Sequence, residues 1–385
     1  MSQNEQSTVR ALKNCLNVYD VKRAAYKALP LPIRAYIDSG ADDEITLKEN
    51  TRAFKNYTLI PSFGNGQETS DMSMTILGQP SSWPLMLSPW GVHKLMHKDG
   101  EKATARAAEK NETVYVMSNF STTSMEEVSE AVDGVKFFQL QPARERSIMS
   151  NMMTRAKESG YKALIVTIDN PIIGNREGEA RTGFGVPPKL STRSTLSMMV
   201  HPKWVLNYVL NRPTFANFLE YFEDGKDYEW LFHNLVCPVT WDDLKWIRSQ
   251  WEGPLAIKGI MSADNARKVV EIGAEGVIVS NQGARNFDAI PSSLSMLGEV
   301  LEAVDGDAEV IFDSGIRRGT DVLKALAMGA KACMTARPFV YGLSAAGEEG
   351  VSFVINMLKA EVERAMILSG AKTISDINAS MIRKL

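Results

Sequence analysis

Short runs of apolar residues recur from residue 85 onward and alternate with stretches whose apolar residues lie three or four positions apart. The runs are 85–87, 114–116, 137–138, 164–166, 255–257, 277–279, 310–312 and 332–334. Helical spacing is clearest at 103–108, 265–272 and 322–327. Short apolar runs that alternate with helical stretches indicate βαβ units and a parallel sheet. Eight runs predict a closed α/β barrel, the (β/α)8 TIM barrel, and an open doubly wound sheet is the alternative.

Two terminal segments and one long connection lie outside this alternation. Residues 1–75 are predicted to form an N-terminal helical segment and residues 351–385 C-terminal helices, so that 1–385 make one barrel domain with extensions. Residues 177–237, here called segment 177–237, lack a clear strand pattern, and connections of this length are usually functional or disordered. We expect this segment to fold over the barrel mouth as a lid.

Segment 177–237 has a second interpretation, which is contact with a membrane or a partner protein. The contacting face would consist of Trp204, Val205, Tyr208, Val209 and Phe215. The lid is favoured because the polar face of the segment is not strongly basic. Elsewhere too, no apolar run approaches the length of a membrane span, and no membrane partner is expected.

Composition limits the class of protein. Hydrophobic residues make up 44% of the 385 residues and charged residues 23%, which is enough for a large core. The net charge of -3 gives no basic field for nucleic acid. Three cysteines occur without CxxC or zinc spacing, so no metal site is predicted. An odd cysteine count without a signal peptide predicts a cytoplasmic location.

Polar residues follow the predicted strands, at the end where barrel enzymes place their chemistry. The seventh strand is followed by Asp313, Ser314, Gly315 and Arg317, and the eighth by Arg337. Phosphate groups bind after these two strands, where backbone N–H groups meet arginine charge. A phosphate site is therefore one interpretation, and solvated arginines at ordinary βα turns are the other.

Lys258 ends the fifth predicted strand in an apolar context. A lysine that points into a barrel mouth needs an anionic partner, because burying it unpaired is costly. A structural ion pair with Asp313 or Asp288 is the simplest interpretation. The sixth strand ends in the sequence SNQGAR at 280–285, where Gln282 follows two polar residues.

Several long motifs closely resemble the FMN-dependent 2-hydroxy-acid oxidases and dehydrogenases, the family of glycolate oxidase, L-lactate dehydrogenase or oxidase and mandelate dehydrogenase. The motifs are YIDSGA at 36–41, GEKATARAA at 100–108, FFQL at 137–140, SNQGAR at 280–285 and RRGTDV at 317–322. The resemblance covers nearly the whole chain. It implies a TIM barrel, FMN as the cofactor, a small carboxylate-bearing substrate and a homo-oligomer, in this family a homotetramer.

The resemblance also implies a set of cofactor contacts. Lys258 would lie beside flavin N1 and stabilise the negative charge of the reduced ring. The phosphate would be held after the last two strands and the ring by residues of the earlier strand ends. The implied FMN-binding residues are Pro89, Trp90, Gly91, Ser118, Gln139, Thr167, Lys258, Ser280, Asp313, Ser314, Gly315, Arg317, Ala336 and Arg337.

The substrate carboxylate would be held by Arg176, Arg285 and Tyr36, and the planar fork of arginine suits that task. The departures from the family concern proton handling: Gln282 replaces the histidine base and Gln141 replaces the tyrosine at the substrate hydroxyl. Two further positions differ from the family: Phe120 stands where a tryptophan is common, and Ala336 stands where a glycine usually precedes the last arginine.

Asp169, which orients the histidine in the family, is retained and is expected to accept an amide N–H of Gln282. A glutamine is neutral at ordinary pH, and a positioned general base contributes on the order of 10²–10⁴-fold. His201 or His233 could enter with the lid to replace it, although solvated loop histidines are the simpler interpretation.

The default prediction is an FMN-dependent oxidoreductase that oxidises a 2-hydroxy acid to a 2-keto acid, with Gln282, Tyr36, Lys258 and Asp169 around the reacting atoms. The alternatives are a repurposed flavoenzyme with non-standard chemistry and a catalytically silent protein that binds FMN and an anion. A flavin-free barrel acting on a phosphorylated metabolite is the third alternative.

Overall fold

Eight parallel strands close a barrel in which each strand pairs with the next along the chain and the last pairs with the first. The computed structural model describes residues 12–185 and 188–385. The strands coincide with the eight apolar runs, so the predicted (β/α)8 barrel is confirmed. They are β1 Leu85–Leu87, β2 Tyr115–Ser118, β3 Lys136–Leu140, β4 Ala163–Thr167, β5 Leu255–Ile260, β6 Gly276–Val279, β7 Glu309–Asp313 and β8 Ala332–Thr335.

The barrel strands are buried on both faces, which is why they read as continuous apolar runs. Alternate residues point inward and form a compact interior cluster that includes Ile165, Ala256 and Ile311. Their neighbours, such as Leu164 and Phe312, pack outward against the helices. This period of two sets which side chains at the strand ends reach the barrel mouth.

The helices surround the barrel and form its extensions. Their bounds are α1 Val18–Ala28, α2 Leu31–Asp38, α3 Ile45–Arg52, α4 Gly100–Lys110, α5 Met125–Ala131, α6 Arg146–Glu158, α7 Glu177–Thr182, α8 Thr192–Met199, α9 Pro202–Asn211, α10 Leu219–Glu223, α11 Tyr228–Leu235, α12 Trp241–Gln250, α13 Ala263–Glu271, α14 Ser293–Val304, α15 Gly319–Ala327 and α16 Arg337–Ser369. Helix α16 is kinked at Ala346 and Gly347, where the backbone leaves helical geometry.

A hairpin of Met74–Ile76 and Gln79–Ser81 closes the barrel end opposite the mouth. Ile76 and Leu77 belong to the interior cluster, and the N–H of Leu77 donates to Glu309 Oε2 at the start of β7. This hairpin leaves the carboxyl ends of the strands as the accessible end of the barrel.

The terminal segments contain more than the predicted helices. Within 1–75 the structure describes α1–α3, a 3₁₀ turn and the strand Tyr57–Leu59, while residues 1–11 lie outside the described part. The last residues were expected to be helical, but Ile382–Lys384 is a strand that pairs antiparallel with Tyr57–Leu59. Pairing with the edge of Tyr57–Leu59 gives these three residues backbone hydrogen bonds. A helix of so few residues would not be stable by itself.

Segment 177–237 is helical, with α7–α11 along it. It is attached to the rest of the protein by specific hydrogen bonds: Trp204 Nε1 donates to the carbonyl of Leu95 at 2.7 Å, and Ser197 Oγ accepts the N–H of Leu31 in α2 at 2.9 Å. Of the helices in the described part of the chain, none is long and apolar enough to cross a membrane.

The N-terminal segment is part of the core, because Phe54 packs edge-on against Phe312 of β7 with ring centroids 5.7 Å apart. We expect Phe54→Ala to lower the free energy of unfolding by about 3–5 kcal/mol, since it leaves a cavity against the barrel wall. Urea unfolding measures this. Phe63→Ala is the control, because Phe63 is 74% exposed. Equal effects of the two substitutions would contradict this packing argument.

Candidate functional site

Side chains at the strand ends converge because of the strand period. Ile165, Ala256 and Ile311 point into the barrel, so the residues two positions later point into its mouth. Those residues are Thr167, Lys258 and Asp313.

A cavity of about 540 Å³ occupies this mouth. Of the residues predicted to act there, Asp169 and Ser280 are the two that do not line it. The predicted residues that line it are Tyr36, Pro89, Trp90, Gly91, Ser118, Gln139, Gln141, Thr167, Arg176, Lys258, Gln282, Arg285, Asp313, Ser314, Gly315, Arg317, Ala336 and Arg337.

Lys258 and Asp313 form a buried ion pair at the base of the cavity, with 3.1 Å between Nζ and Oδ2. Ser280 lies behind them, accepts from Lys258 Nζ at 2.7 Å and donates to Asp313 Oδ2 at 2.6 Å. Burial alone would raise the pKa of Asp313, but Lys258 and the serine hydroxyls outweigh burial and lower it. Asp288 instead accepts the first N–H groups of α3, so the pair involves Asp313.

Arg317 after β7 and Arg337 after β8 have no carboxylate as an ion-pair partner among the described residues. Within the same residues, Arg337 bonds only backbone carbonyls, such as that of Ile37. Burial, with Arg317 nearby, lowers the pKa of Arg337 to about 10. Two close guanidinium groups in a buried place require an anion, and a phosphate group fits.

The backbone at this end is also shaped for close approach. Ser314 and Gly315 both have positive φ, 95° and 91°. A Cβ on Gly315 would lie 2.1 Å from the carbonyl oxygen of Asn50, so glycine is required there. Successive residues of this kind form concavities that bind anions, and the residues present therefore fit the FMN phosphate.

Arg176 and Arg285 lie side by side above the cavity, with Arg176 Nε donating to the carbonyl of Arg285 at 3.0 Å. Burial and the neighbouring Arg285 lower the pKa of Arg176 to about 10. Arg285 lies over the ring of Tyr36 with 5.0 Å to its centroid, and burial raises the pKa of that tyrosine to about 12. The predicted trio thus comes together, with Arg285 in contact with both Arg176 and Tyr36.

Glu179 is a member of this group that the sequence-based reasoning missed. Its Oε1 accepts from Arg285 Nη2 at 2.8 Å, and its Oε2 lies 3.7 Å from Arg176 Nη1. Glu179 also lines the cavity. The signal for it was the spacing of three residues after Arg176 at the start of a helix. With Glu179 present, the two arginines carry a net charge of one.

Gln282 has the left-handed φ of 52° and lines the cavity. Its Oε1 accepts from Asn286 Nδ2 at 2.9 Å, and the same amide donates to the backbone carbonyl of Asp169 at 2.8 Å. Asp169 Oδ1 is buried without a hydrogen-bond partner. The expectation that Gln282 donates to Asp169 is therefore wrong: the Gln282 amide oxygen faces Asn286, and the Asp169 carboxylate receives no amide N–H from Gln282.

The histidines lie away from the reacting end of the cavity. None of the four is among the residues that line it in the described part of the chain. His201 Nδ1 lies 2.6 Å from the carbonyl of Ser197 and its Nε2 3.1 Å from Arg34, while His233 is exposed. The suggestion that one of these two histidines replaces the base finds no support in their positions.

The outer wall of the cavity is apolar and comes largely from segment 177–237. Phe120 after β2 contacts Phe215 and Phe232 of the segment, with ring centroids 5.6 and 6.3 Å apart. Phe184 stacks on Tyr36 at 4.8 Å. The segment therefore supplies apolar side chains to the cavity lining. Among the described residues, no cluster of metal-ligating side chains occurs.

Asp169 makes stability depend on pH. Burial raises its pKa from 3.8 to about 6, with Lys258 opposing and Asp313 adding to the shift. The folded protein holds this proton more tightly, so protonated Asp169 stabilises it below about pH 4 and the stabilisation is lost as pH rises through about 6.

We expect Asp169→Asn to remove this dependence. Relative to the parent protein, its free energy of unfolding should rise by about 3 kcal/mol between about pH 4 and pH 8. Urea unfolding at several pH values measures the difference. The control is Asp264→Asn, whose carboxylate is exposed. Parallel curves for parent and Asp169→Asn would show that Asp169 is not shifted.

Comparison with known proteins identifies the family from nearly the whole length of the chain. The family model described as FMN-dependent dehydrogenase matches residues 25–384. Human 2-hydroxyacid oxidase 1 is 36% identical over 371 residues, 96% of each chain. Glycolate oxidase 1 of Oryza sativa subsp. indica is 37% identical over 366 residues, 95% of each chain.

Solved structures agree. The crystal structure of the monotopic membrane protein (S)-mandelate dehydrogenase superposes with a TM-score of 0.90 at 32% identity, covering 97% of this chain and 100% of that one. Mandelate oxidase with (S)-2-phenylpropionate gives a TM-score of 0.81 at 31% identity, covering 96% and 98%. The chain is therefore a member of the FMN-dependent dehydrogenase family.

Proposed function

We propose that this FMN-dependent oxidoreductase oxidises a small 2-hydroxy acid with a bulky apolar side group to the 2-keto acid. One observation carries the proposal: a single cavity joins a buried lysine, a pair of arginines and an aromatic wall. The names of the similar proteins, which are 2-hydroxyacid, glycolate and mandelate oxidases and a mandelate dehydrogenase, support the reaction class.

Each part of the cavity has a separate task in this proposal. Arg176 and Arg285 bind the substrate carboxylate. Tyr36 donates a hydrogen bond to it, because its pKa of about 12 keeps the hydroxyl protonated at neutral pH. Bound FMN would accept two electrons and the hydrogen from substrate C2. Lys258, held in place by Asp313 and Ser280, presents positive charge where negative charge accumulates.

The apolar wall favours a bulky side group over the hydrogen of glycolate. Phe120, Phe215 and Phe232 form one aromatic cluster, and Phe184 closes it beside Tyr36. A side group that fills this space removes apolar surface from water, which is favourable by about 25 cal/mol per Å². A small polar acid would leave the wall in contact with water.

Removal of the proton from the substrate hydroxyl is the slow step in this proposal. The substrate hydroxyl must lose its proton, yet Gln282 and Gln141 are neutral amides. The carboxylates of the described lining, Glu179 and Asp313, are held in ion pairs with Arg285 and Lys258. We therefore propose that 2-hydroxy acids react slowly, by a factor on the order of 10²–10⁴ relative to a site with a general base.

This absence of a free base favours a second candidate substrate, a 2-amino acid with the same apolar side group. At neutral pH the amino group is an ammonium that must first lose a proton to solvent; the lone pair then present would let hydride transfer from C2 to FMN leave a protonated imine without a base in the cavity. Water then converts the imine to the 2-keto acid and ammonium. The amide oxygens of Gln282 and Gln141 can accept the amine N–H groups.

Gln282→His tests the proton argument. We expect anaerobic bleaching of the flavin by an aromatic 2-hydroxy acid to become about 10²–10⁴-fold faster, because a base then faces the hydroxyl. Stopped-flow absorbance measures the rate, and Gln250→His on the exposed end of α12 is the matched control. Rapid bleaching by the parent protein would show that another group takes the proton.

The same measurement separates the alternatives. Bleaching of the parent protein by the 2-amino acid but not by the matched 2-hydroxy acid would favour the second candidate. Binding of both acids without bleaching, in the parent and in Gln282→His alike, would favour a catalytically silent FMN and anion-binding protein.

Glu179 competes with the substrate carboxylate for the two arginines. We expect Glu179→Gln to bind an aromatic 2-keto acid about tenfold more tightly, because both guanidinium groups are then available. Titration followed by the change in flavin absorbance gives the Kd. Glu177→Gln is the control, since Glu177 pairs with Arg181 at the surface. Unchanged or weaker binding in Glu179→Gln would argue against the competition.

We also propose a cytoplasmic location and a homo-oligomer, which in this family would be a homotetramer. The first rests on the odd number of cysteines, three in the sequence, and the second on the family. Sedimentation velocity of the purified protein tests the oligomeric state. A small carboxylate is the substrate partner in every version of the proposal.

A further inference from the structure

Gln282 lines the cavity, and the two ends of its side-chain amide have different surroundings. Its Oε1 accepts from Asn286 Nδ2 at 2.9 Å, and Asn286 does not line the cavity. Its Nε2 forms no hydrogen bond with the described residues. The amide oxygen is therefore turned toward Asn286, and the NH₂ group is the end of the amide that is left for a ligand.

Asn286 determines which end of that amide is the oxygen. Its Oδ1 accepts from Arg176 Nη2 at 3.1 Å, and a guanidinium group can only donate. Its Nδ2 donates to the backbone carbonyl of Asp169 at 2.8 Å, and a carbonyl can only accept. Both ends of the Asn286 amide are thus assigned by partners that have a single role. The atom of Gln282 that faces Asn286 Nδ2 must then be the acceptor.

The neighbouring groups hold this arrangement in place. Arg176 Nε donates to the carbonyl of Arg285 at 3.0 Å, and Asn170 Oδ1 is a further acceptor for Asn286 Nδ2 at 2.9 Å. Turning the Gln282 amide over would set its NH₂ group against the NH₂ group of Asn286. The donor orientation of Gln282 is therefore established by the protein before a ligand binds, which is the property of a preorganised site.

Gln141, the other amide in the cavity lining, is not oriented in this way. Its backbone carbonyl accepts from Asn119, but its side chain forms no hydrogen bond with the described residues. Gln141 can turn its oxygen or its NH₂ group to a ligand, including the oxygen to an amine. Gln282 is thus the amide whose orientation selects among ligands.

We propose that Gln282 donates a hydrogen bond to the oxygen on C2 of the ligand, and that Asn286 is the positioning residue that makes Gln282 a donor. The proposal rests on the function proposed above. A 2-keto oxygen has lone pairs and no proton, so it accepts this hydrogen bond, whereas a C2 ammonium has only N–H groups. Gln282 therefore favours an oxygen on C2 over an ammonium, and it holds the 2-keto acid in particular.

Binding to the FMN-loaded protein with oxidised flavin tests this proposal. Benzoylformate and phenylacetate differ only at C2, which carries an oxygen in the first acid and two hydrogens in the second. Titration followed by flavin absorbance gives both Kd values, and their ratio reports the bond to the C2 oxygen, because both acids have the same carboxylate and ring. The parent protein should bind benzoylformate about tenfold more tightly than phenylacetate.

Asn286→Asp should remove this preference. A carboxylate cannot donate, so Gln282 turns its NH₂ group to the new carboxylate and presents its oxygen to the ligand. The ratio should fall to about one or below. Asn170→Asp is the matched control, because it adds the same charge beside Asn286 and can still accept from Asn286. Its ratio should equal that of the parent protein.

Gln282→Leu gives a second test that leaves Asn286 unchanged. Its ratio should also fall to about one, and the addition of Asn286→Asp to Gln282→Leu should change the ratio no further, because the amide that Asn286 orients is then gone. A merely structural role of Asn286 would change the two Kd values together and leave their ratio as it is. Thermal unfolding and FMN content establish that each variant is folded.

A ratio near one in the parent protein would overturn the proposal. A parent ratio that survives in Asn286→Asp, or falls equally in Asn170→Asp, would overturn it too. The oxidation proposed above fails by a different result: the expected ratios with no bleaching of the flavin by any 2-hydroxy acid would leave the hydrogen bond standing. If neither acid binds, the carboxylate site is wrong and both proposals fall.

Discussion

Balance of buried charge at the barrel mouth is the constraint on which the rest of the site depends. Strand period points Lys258 and Asp313 into the same space, and each is tolerable there because it neutralises the other at 3.1 Å. Arg285 is balanced by Glu179 in the same way. Arg317 and Arg337 have no such partner among the described residues, so this part of the mouth has an affinity for an anion built into it. The FMN phosphate of the family meets that need.

The environment of Gln282 involves two neighbouring side chains, Asn286 and Asp169. The amide turns to Asn286, and Asp169 is left with an oxygen that has no partner and a pKa raised to about 6. A buried carboxylate of this kind is a cost to the folded state at neutral pH. Among the described residues, the cavity lining contains two adjacent arginines and a buried lysine but no histidine.

Segment 177–237 contributes to the cavity through its inward side. Its side chains Phe184, Phe215 and Phe232 form the apolar wall of the cavity. Hydrogen bonds of Ser197 to Leu31 and of Trp204 to Leu95 hold the segment in this position. The apolar wall of the cavity therefore belongs to a segment that is fixed to the rest of the protein.

Sequence by itself determined the barrel, because eight buried strands must appear as eight apolar runs, and it determined the family, because the motifs around Gln282 and Arg317 are long. All but two of the residues predicted for the site line the cavity, since strand ends meet at one edge. Tertiary structure alone decided the partners: Asn286 for Gln282, Glu179 for Arg285, a strand rather than a helix at Ile382–Lys384, and the burial of Trp204. Those choices depend on which groups lie within about 3 Å, and local periodicity carries no information about contacts between residues distant in the chain.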